Sequence, residues 1–526
     1  MTKEQTQTLT ILATSDIHGH IYPTTYRGKL NQPIGLAKLA TIIEKERKKS
    51  ADTLLIDNGD MIQGSPLMYS YHHSTLPTNP IIEAMNQLGF DAGVVGNHEF
   101  NFGRSAIDKA VSSSHFPWLS ANVIDQSNKQ PIYGKPYVIQ ETDSGIKVAI
   151  LGITTHYIPN WEKPDHIRGI DFSDAYEATN YWVKGIREHE AVDVLIVSYH
   201  GGFERDLITG EPTEKLTGEN QGYRILTEID GIDVLLTGHQ HRKIAQIHSE
   251  KAVIQPGVNG EALGKVTLNL SKVNNTWTIN HKHAELIPVT VETPVSEAIS
   301  LVAREAHKQT ELWLDKPVGY VEGDLSVTDP FQLRLATHPL ISFINSVQED
   351  VAQVDISLTS LFHDQAPGFS GEVTMREIVS NYIYPNTLTV LQLTGKAMKQ
   401  ALELSANYFQ LDDENNITIN PDFLYPKPAP YNYDMWSGID YQLSISQPVG
   451  KRVTSLYYQG QLIREDDTFH VVMNHYRASG GGNFDMFKDK PVIKQIQTDM
   501  TELLVDYFTK HPIVVPQYRT NFTVTR

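Results

Sequence analysis

The chain has 526 residues, with 44 Lys plus Arg against 62 Asp plus Glu, a formal net charge of −18 and no cysteine. That length exceeds one ordinary core, so two or more domains are expected, and 40 % apolar residues indicate a globular chain. The acidic balance argues against sequence-independent binding to nucleic acid polymers, which needs Lys and Arg to displace counterions. The lack of cysteine excludes disulfides, thiolate metal sites and Cys nucleophiles.

The chain starts Met-Thr-Lys-Glu-Gln-Thr-Gln-Thr, with no apolar h-region or small-residue cleavage site. No run approaches transmembrane length. A cytoplasmic protein that does not associate with membranes is expected. The alternative is a secreted or cell-surface protein whose signal peptide was removed and replaced by Met.

From about Leu9 to about Val291, short Val/Ile/Leu-rich runs alternate with helical stretches. The runs are Leu9–Ala13, Thr53–Ile56, Ala92–Val95, Lys147–Ile153, Asp193–Ser198 and Asp233–Thr237. Brief, nearly continuous apolar runs bounded by turn residues predict buried strands. Gly35–Lys49 and Ser173–Glu190 have helical spacing between them. The class is α/β. Thr293–Trp313 has a Pro near its start and strong helix formers throughout, which predicts one long connecting helix. The expected organisation is a first domain over 1–292, a linking helix over 293–318 and a second, α+β domain over 319–526. In that second domain helices are predicted at Pro339–Val347 and Gly395–Ser405, and strands at Leu388–Leu393, Tyr441–Ile445 and Thr468–Met473. The glycine-rich stretch Ala478–Phe484 is the most flexible-looking segment.

Five short polar motifs each follow a hydrophobic run of the first domain. They are Asp16-Ile-His18, Gly59-Asp60, Gly96-Asn97-His98-Glu99, Tyr199-His200-Gly201-Gly202 and Gly238-His239-Gln240-His241. In α/β sheets, ligand sites form at the carboxyl ends of strands. The oxygen and imidazole donors suffice for two metal ions that share one carboxylate. Such donors suit Mn²⁺, Fe, Co²⁺ or Zn²⁺ better than Mg²⁺ or Cu(I). Asp60 is the candidate bridge, because Gly59 lets the backbone come close. One metal would take Asp16, His18, Asp60 and His241. The other would take Asp60, Asn97, His200 and His239. A water shared by two cations loses a proton near neutral pH and is then able to attack phosphorus in line. His98, beside a ligand, is expected to stabilise the transition state or protonate the leaving oxygen. Glu99 is expected to brace the turn.

These motifs, in this order, resemble those of the calcineurin-like metallophosphoesterases. The second half is similar to the carboxyl domain of bacterial 5′-nucleotidases and of 2′,3′-cyclic-nucleotide 2′-phosphodiesterase/3′-nucleotidases, so the resemblance covers nearly the whole chain. It implies a calcineurin-like four-layer sandwich with two metals per chain, a linking helix and a substrate-recognising carboxyl domain. It also implies a nucleotide as the small-molecule partner. A monomer or weak dimer is expected.

Two departures separate the branches of that family. Where 5′-nucleotidases have an Asp three residues after the catalytic His, this chain has Asn101, as the cyclic-nucleotide branch does. The phosphate-contacting Arg loop of 5′-nucleotidases is replaced by Ser357–Asp364, which has no Arg. The runs Tyr382–Leu388, Tyr431–Asp434 and Asn474–Gly481 also look more like the cyclic-nucleotide branch. The resemblance further implies two aromatic rings that sandwich the base. Tyr433 matches the first, and Phe484 or Tyr476 the second. Arg334 lies where the family places a substrate-contacting Arg. Hydrolysis of 2′,3′-cyclic nucleotides and 3′-nucleotides is the leading expectation. A 5′-nucleotidase or UDP-sugar hydrolase is the alternative among enzymes, and a catalytically silent nucleotide-binding module is the alternative from another class.

Overall fold

Apolar residues at every second position decide the layers of the first half. Along the strand Lys147–Thr154, Val148 and Ile150 point one way and Ala149, Leu151 and Ile153 the other. Side chains of a strand alternate between faces, so a strand buried on both sides must be apolar at nearly every position. The first set joins Leu9, Ile11, Leu54, Ile56, Val94, Ile196 and Leu236 in a core between two sheets. The second set packs with Val183, Ile186, Ile225 and Leu226 of the helices Ala175–His189 and Gly222–Glu228. The computed structural model describes residues 5–27, 31–214, 216–273, 276–384, 386–425, 427–496 and 498–526. Met1–Glu4, and Pro385 in the Tyr382–Leu388 run, lie outside the described residues.

The chain divides into two compact units, Met1–Glu311 and Leu312–Arg526. The first holds two six-stranded sheets. One runs in the order Thr276–Pro288, Ala262–Val273, Gln5–Thr14, Asp52–Asp57, Ala92–Val94, Trp118–Leu119. The other runs Lys243–His248, Lys251–Pro256, Val234–Thr237, Val194–His200, Lys147–Thr154, Tyr137–Glu141. The central strands of each sheet are parallel, with Ile11 opposite Leu54 and Leu235 opposite Val197. Their carboxyl ends carry all five polar motifs. The helices Leu36–Arg47 and Pro80–Leu88 bury their apolar faces; the latter starts on an Asn79 cap and stops at left-handed Gly89. Two facing sheets with helices packed on their outer faces make the four-layer sandwich expected from the sequence.

The predicted helix over 293–313 is two helices, Glu297–Val302 and Arg304–Leu314. Thr293–Ser296 is not helical: Thr290 and Thr293 close a turn, and the backbone N–H of Ser296 donates to the carbonyl of Ala37. Tertiary hydrogen bonds outweigh helix propensity here.

The second unit mixes a five-stranded, a four-stranded and a three-stranded sheet with the helices Pro339–Ala352, Gly395–Ala406 and Met500–Lys510. Its core gathers Leu340, Phe343, Leu358, Val390, Leu402, Trp436, Val472 and Phe508. The glycine-rich stretch is not a loose loop. Gly480 and Gly481 are buried, Gly481–Asn483 forms a tight turn, and the Arg477 guanidinium donates to the Gly481 carbonyl. Among the described residues no helix is long and apolar enough to cross a membrane.

Candidate dimetal site

Hydrogen bonds tie the two sheets of the first unit together at the carboxyl ends of their central strands. Asn58, at the end of Asp52–Asp57, takes a hydrogen bond from Ser198 Oγ (2.6 Å) and donates to the Tyr199 carbonyl (3.2 Å). Its own carbonyl accepts from His200 Nδ1 at 2.7 Å. The backbone N–H of His239 donates to Asp16 Oδ1 at 3.0 Å, again from one sheet to the other. The polar motifs of both sheets therefore converge.

They form two groups. Ligand atoms of Asp16, His18 and His241 lie within 4.8 Å of one another, and so do those of Asp60, His200 and His239. Asn97 Oδ1 sits 3.1 Å from His200 Nε2 and 2.9 Å from His239 Nδ1. The structure thus gathers Asp16, His18 and His241 in one group and Asp60, Asn97, His200 and His239 in the other.

Several observations show that the donors fit cations. His18 Nδ1 donates to the Gln63 carbonyl at 2.9 Å, so its Nε2 carries a bare lone pair, 3.2 Å from His241 Nε2. Burial pushes His18 down to about 3, against the pull of Asp60. A neutral imidazole is the form that binds metal. His200 is the reverse case. Burial opposes its charge, but Asp60 lies 3.1 Å away and pushes it up to about 10. The same acceptors that hold a proton on His200 Nε2 would hold a cation in its place. Burial opposes ionisation of Asp60 too, yet the surrounding imidazoles keep it well below the usual carboxylate range. Asp16, His18, Asp60, His239 and His241 all have left-handed backbone, with φ between 50° and 67°. Each such residue costs about 1–2 kcal/mol, and such strain clusters at functional sites.

The backbone packs closely around these ligands. A Cβ on Gly96 would stand 2.4 Å from Asp60 Oδ1, so only glycine fits. Glu99 braces the turn: its carboxylate accepts from the N–H groups of Asp60 (2.9 Å), Met61 (2.7 Å) and Gly96 (2.7 Å). The backbone N–H of His98 donates to Asp60 Oδ1 at 2.8 Å, and His98 Nδ1 faces Asn101 Oδ1 at 2.6 Å.

Some neighbours were not legible in the sequence. Glu219 Oε1 lies 2.8 Å from His239 Nε2, and the Trp161 ring stacks on His239 with centroids 5.4 Å apart. A carboxylate on the far nitrogen of a ligating His orients the ring and raises its basicity. Neither residue sits in a strand-end motif, and Asn58 does so only as the unremarked neighbour of Gly59.

In the second unit the expected base-binding residues need correction. Tyr433 is 0 % exposed, packs against Tyr408 and Phe409, and donates its hydroxyl to the Arg334 carbonyl at 2.8 Å. Phe484 is also 0 % exposed and lies under the Arg477 guanidinium, 3.8 Å from it. Arg334 is buried and pairs with Asp364 at 2.8 Å. These three side chains are occupied by their own core. Tyr476 is half-buried, as is Tyr431, two residues before Tyr433. Arg477 connects their segments by donating to the Tyr431 carbonyl at 2.8 Å.

Residues 9–243 match the family model for calcineurin-like phosphoesterases, and residues 317–489 match that for the 5′-nucleotidase C-terminal domain. A Staphylococcus aureus chain assigned to the 5′-nucleotidases, solved in complex with alpha-ketoglutarate, is 34 % identical. The match covers 99 % of this chain and 100 % of that one, with a TM-score of 0.91. The chain belongs to the calcineurin-like phosphoesterases that carry a 5′-nucleotidase C-terminal domain. Members of this family are hydrolytic, and the family uses divalent metal. The 2′,3′-cyclic-nucleotide 2′-phosphodiesterase/3′-nucleotidase of Salmonella typhimurium is 28 % identical, over 90 % of this chain and 81 % of that protein. The trifunctional nucleotide phosphoesterase protein YfkN of Bacillus subtilis is 28 % identical over 98 % of this chain, which spans 39 % of its length.

Proposed function

We propose that this phosphoesterase hydrolyses 2′,3′-cyclic nucleotides and 3′-nucleotides with two divalent ions bound. The observation that carries the reading is the pair of donor sets, with Asn97 between His200 and His239 and His98 alongside. Asp16, His18 and His241 would hold one ion, Asn97, His200 and His239 the other, with Asp60 shared. Bound there, the ions supply an activated water at neutral pH and positive charge against the phosphoryl oxygens. The chain's own residues do the rest. His200 and His18 are fixed by hydrogen bonds to the carbonyls of Asn58 and Gln63, so little reorganisation is needed. His98 keeps one ring nitrogen on Asn101 and has the other for the leaving oxygen.

The cyclic and 3′ preference rests on Asn101 and on the 357–364 stretch. Ser357–Ser360 is buried strand there, and the neighbouring Arg334 is spent on Asp364 rather than on phosphate. Tyr431 and Tyr476 are the aromatic rings we assign to base stacking, in place of Tyr433 and Phe484. Stacking is worth about 1–3 kcal/mol per contact and tolerates any base. Tyr476→Ala is therefore expected to raise KM about 5- to 100-fold and leave kcat largely unchanged.

The test is phosphate release with Mn²⁺ from 2′,3′-cyclic AMP (coupled to a 3′-nucleotidase), 3′-AMP, 5′-AMP and UDP-glucose, with His98→Ala as control. Preference for the first two supports the reading. Preference for 5′-AMP or UDP-glucose overturns the specificity and leaves the phosphoesterase. No turnover, with about two ions per chain absent after gentle purification, supports a silent nucleotide-binding module.

A further inference from the structure

Behind His98 the hydrogen bonds continue inward. Asn101 Nδ2 donates to Glu162 Oε2 at 2.7 Å. The other oxygen of Glu162 accepts from the Lys163 backbone N–H (2.8 Å) and lies 2.8 Å from His166 Nδ1. Glu162 is 9 % exposed and sits on the segment that also places Trp161 against His239.

A carboxylate accepts hydrogen bonds and has none to give, so it faces only the NH2 end of the Asn101 amide. That fixes which way the amide points. Asn101 Oδ1 must then face His98, and His98 Nδ1 must be the nitrogen that carries hydrogen. Nε2 is left as the working nitrogen. An asparagine without such an anchor turns over freely, and its NH2 would face Nδ1 as readily as its oxygen. Burial works against ionisation of Glu162, but the bonds from His166, Lys163 and Asn101 outweigh it and hold the carboxyl below its ordinary value.

We propose that Glu162 is a positioning residue for His98, setting the ring's tautomer through the orientation of Asn101. The proposal rests on the reading of His98 as the group that meets the leaving oxygen. It also accounts for how an Asn serves where a carboxylate would otherwise do the work: the negative charge is kept, one residue further back.

A four-member kinetic cycle tests it. Glu162→Gln keeps the shape but lets the Asn101 amide turn, and is expected to lower kcat about 10- to 50-fold with KM within about twofold. Asn101→Asp sets two carboxylates against each other across the 2.7 Å contact and lowers kcat as well. The double variant restores a donor–acceptor match, with the amide introduced by Glu162→Gln donating to the new carboxylate. It is expected to recover to within about threefold of wild type. A merely structural Glu162 predicts losses that add, whereas a coupled pair does not add. Additive losses, or an unchanged kcat in Glu162→Gln, overturn the proposal.

The second readout needs neither turnover nor metal. Two-bond ¹⁵N–¹H spectra of histidine-labelled protein, with the His98 signals assigned by their loss in His98→Ala, report the tautomer directly. Nδ1-protonated His98 in wild type, giving way to a mixture in Glu162→Gln, supports the proposal. Nε2-protonated His98 in wild type overturns it. If wild type hydrolyses no nucleotide, the functional reading fails and the spectra still decide this one. Should Glu162→Gln not fold, Glu162→Asp, which draws the carboxylate back by one methylene, is expected to show the same mixture, and an unchanged tautomer there overturns the proposal.

Discussion

The two units bury charge in opposite ways. In the second, Arg477 Nε meets Asp434 Oδ2 at 2.7 Å, Ser360 Oγ donates to Asp434 at 2.9 Å, and the guanidinium lies over the Phe484 ring, 3.8 Å from its centre. Arg477 and Asp434 thus each have their partner within the chain. In the first, carboxylates and imidazoles crowd into one cluster in which His18 Nε2 and His241 Nε2 face each other at 3.2 Å, and Asp60 and Asn97 both turn oxygen toward His200. The ring nitrogens and carboxylates of that cluster are satisfied together by cations better than by one another. Its donors Asp16, His18, Asp60, His239 and His241 also stand on left-handed backbone, a strain the rest of the unit has to hold. Buried charge that closes on itself gives a rigid wall, and buried charge that leaves lone pairs aimed at a common point gives a site.

The largest effect that tests this contrast is on catalysis. Asp60→Asn removes the carboxylate proposed to be shared and is expected to lower turnover about 10⁴-fold, with metal content falling below the wild-type value by elemental analysis. Wild-type turnover in that variant would show that the cluster is structural after all. Next comes Asp434→Asn, which leaves Arg477 buried beside a neutral group. The expected cost is about 3–5 kcal/mol by urea unfolding, the range for breaking a buried ion pair from one side. A loss below about 1 kcal/mol would mean that the second unit's charges are not as dependent on each other as their geometry implies.

Metal addition should separate the units in a single experiment. At about 100 times the dissociation constant, a ligand that binds only the native state adds about 2.7 kcal/mol. Hydrogen exchange is expected to slow for amides around Asp16, Asn58 and His200 and to stay unchanged around Asp434 and Arg477. Equal protection of both would erase the contrast.

The smallest expected effect concerns Glu349, in the second unit. Burial, with Asp355 adding to it against a hydrogen bond from Ser437, pushes its carboxyl up from an ordinary 4.5 to about 7. The unfolded chain thus releases this proton first. The neutral form supports the fold below about pH 4.5, and that support is lost as pH rises through about 7. Glu349→Gln is expected to match wild type at about pH 4 and exceed it by about 2 kcal/mol at about pH 8. The same stability difference at both pH values would show that Glu349 does not carry the slope.

Much of the first unit was legible because its chemistry lies at strand ends. A buried parallel strand must be apolar almost throughout, so a polar residue just past its carboxyl end stands out, as Asp16, Asp60 and His239 do. The helices Leu36–Arg47 and Ala175–His189 were legible from period. The late start of the helix expected from Thr293 was not, because a backbone bond from Ser296 to Ala37 leaves no mark in the local pattern.

The sequence by itself determined which polar side chains stand at the strand ends, the α/β class of the first unit and the presence of a second. Those follow from residue type and order, which local rules read directly. Only the tertiary structure decided which tyrosine near Pro430 is covered, since Tyr431 and Tyr433 share a motif and differ only in what packs on them. It alone showed that Arg334 spends its charge on Asp364. It also brought Glu162 to Asn101 and Glu219 to His239, across 61 and 20 positions of chain. A hydrogen bond forms where the fold brings two groups to within about 3 Å, and no local rule of spacing records that distance.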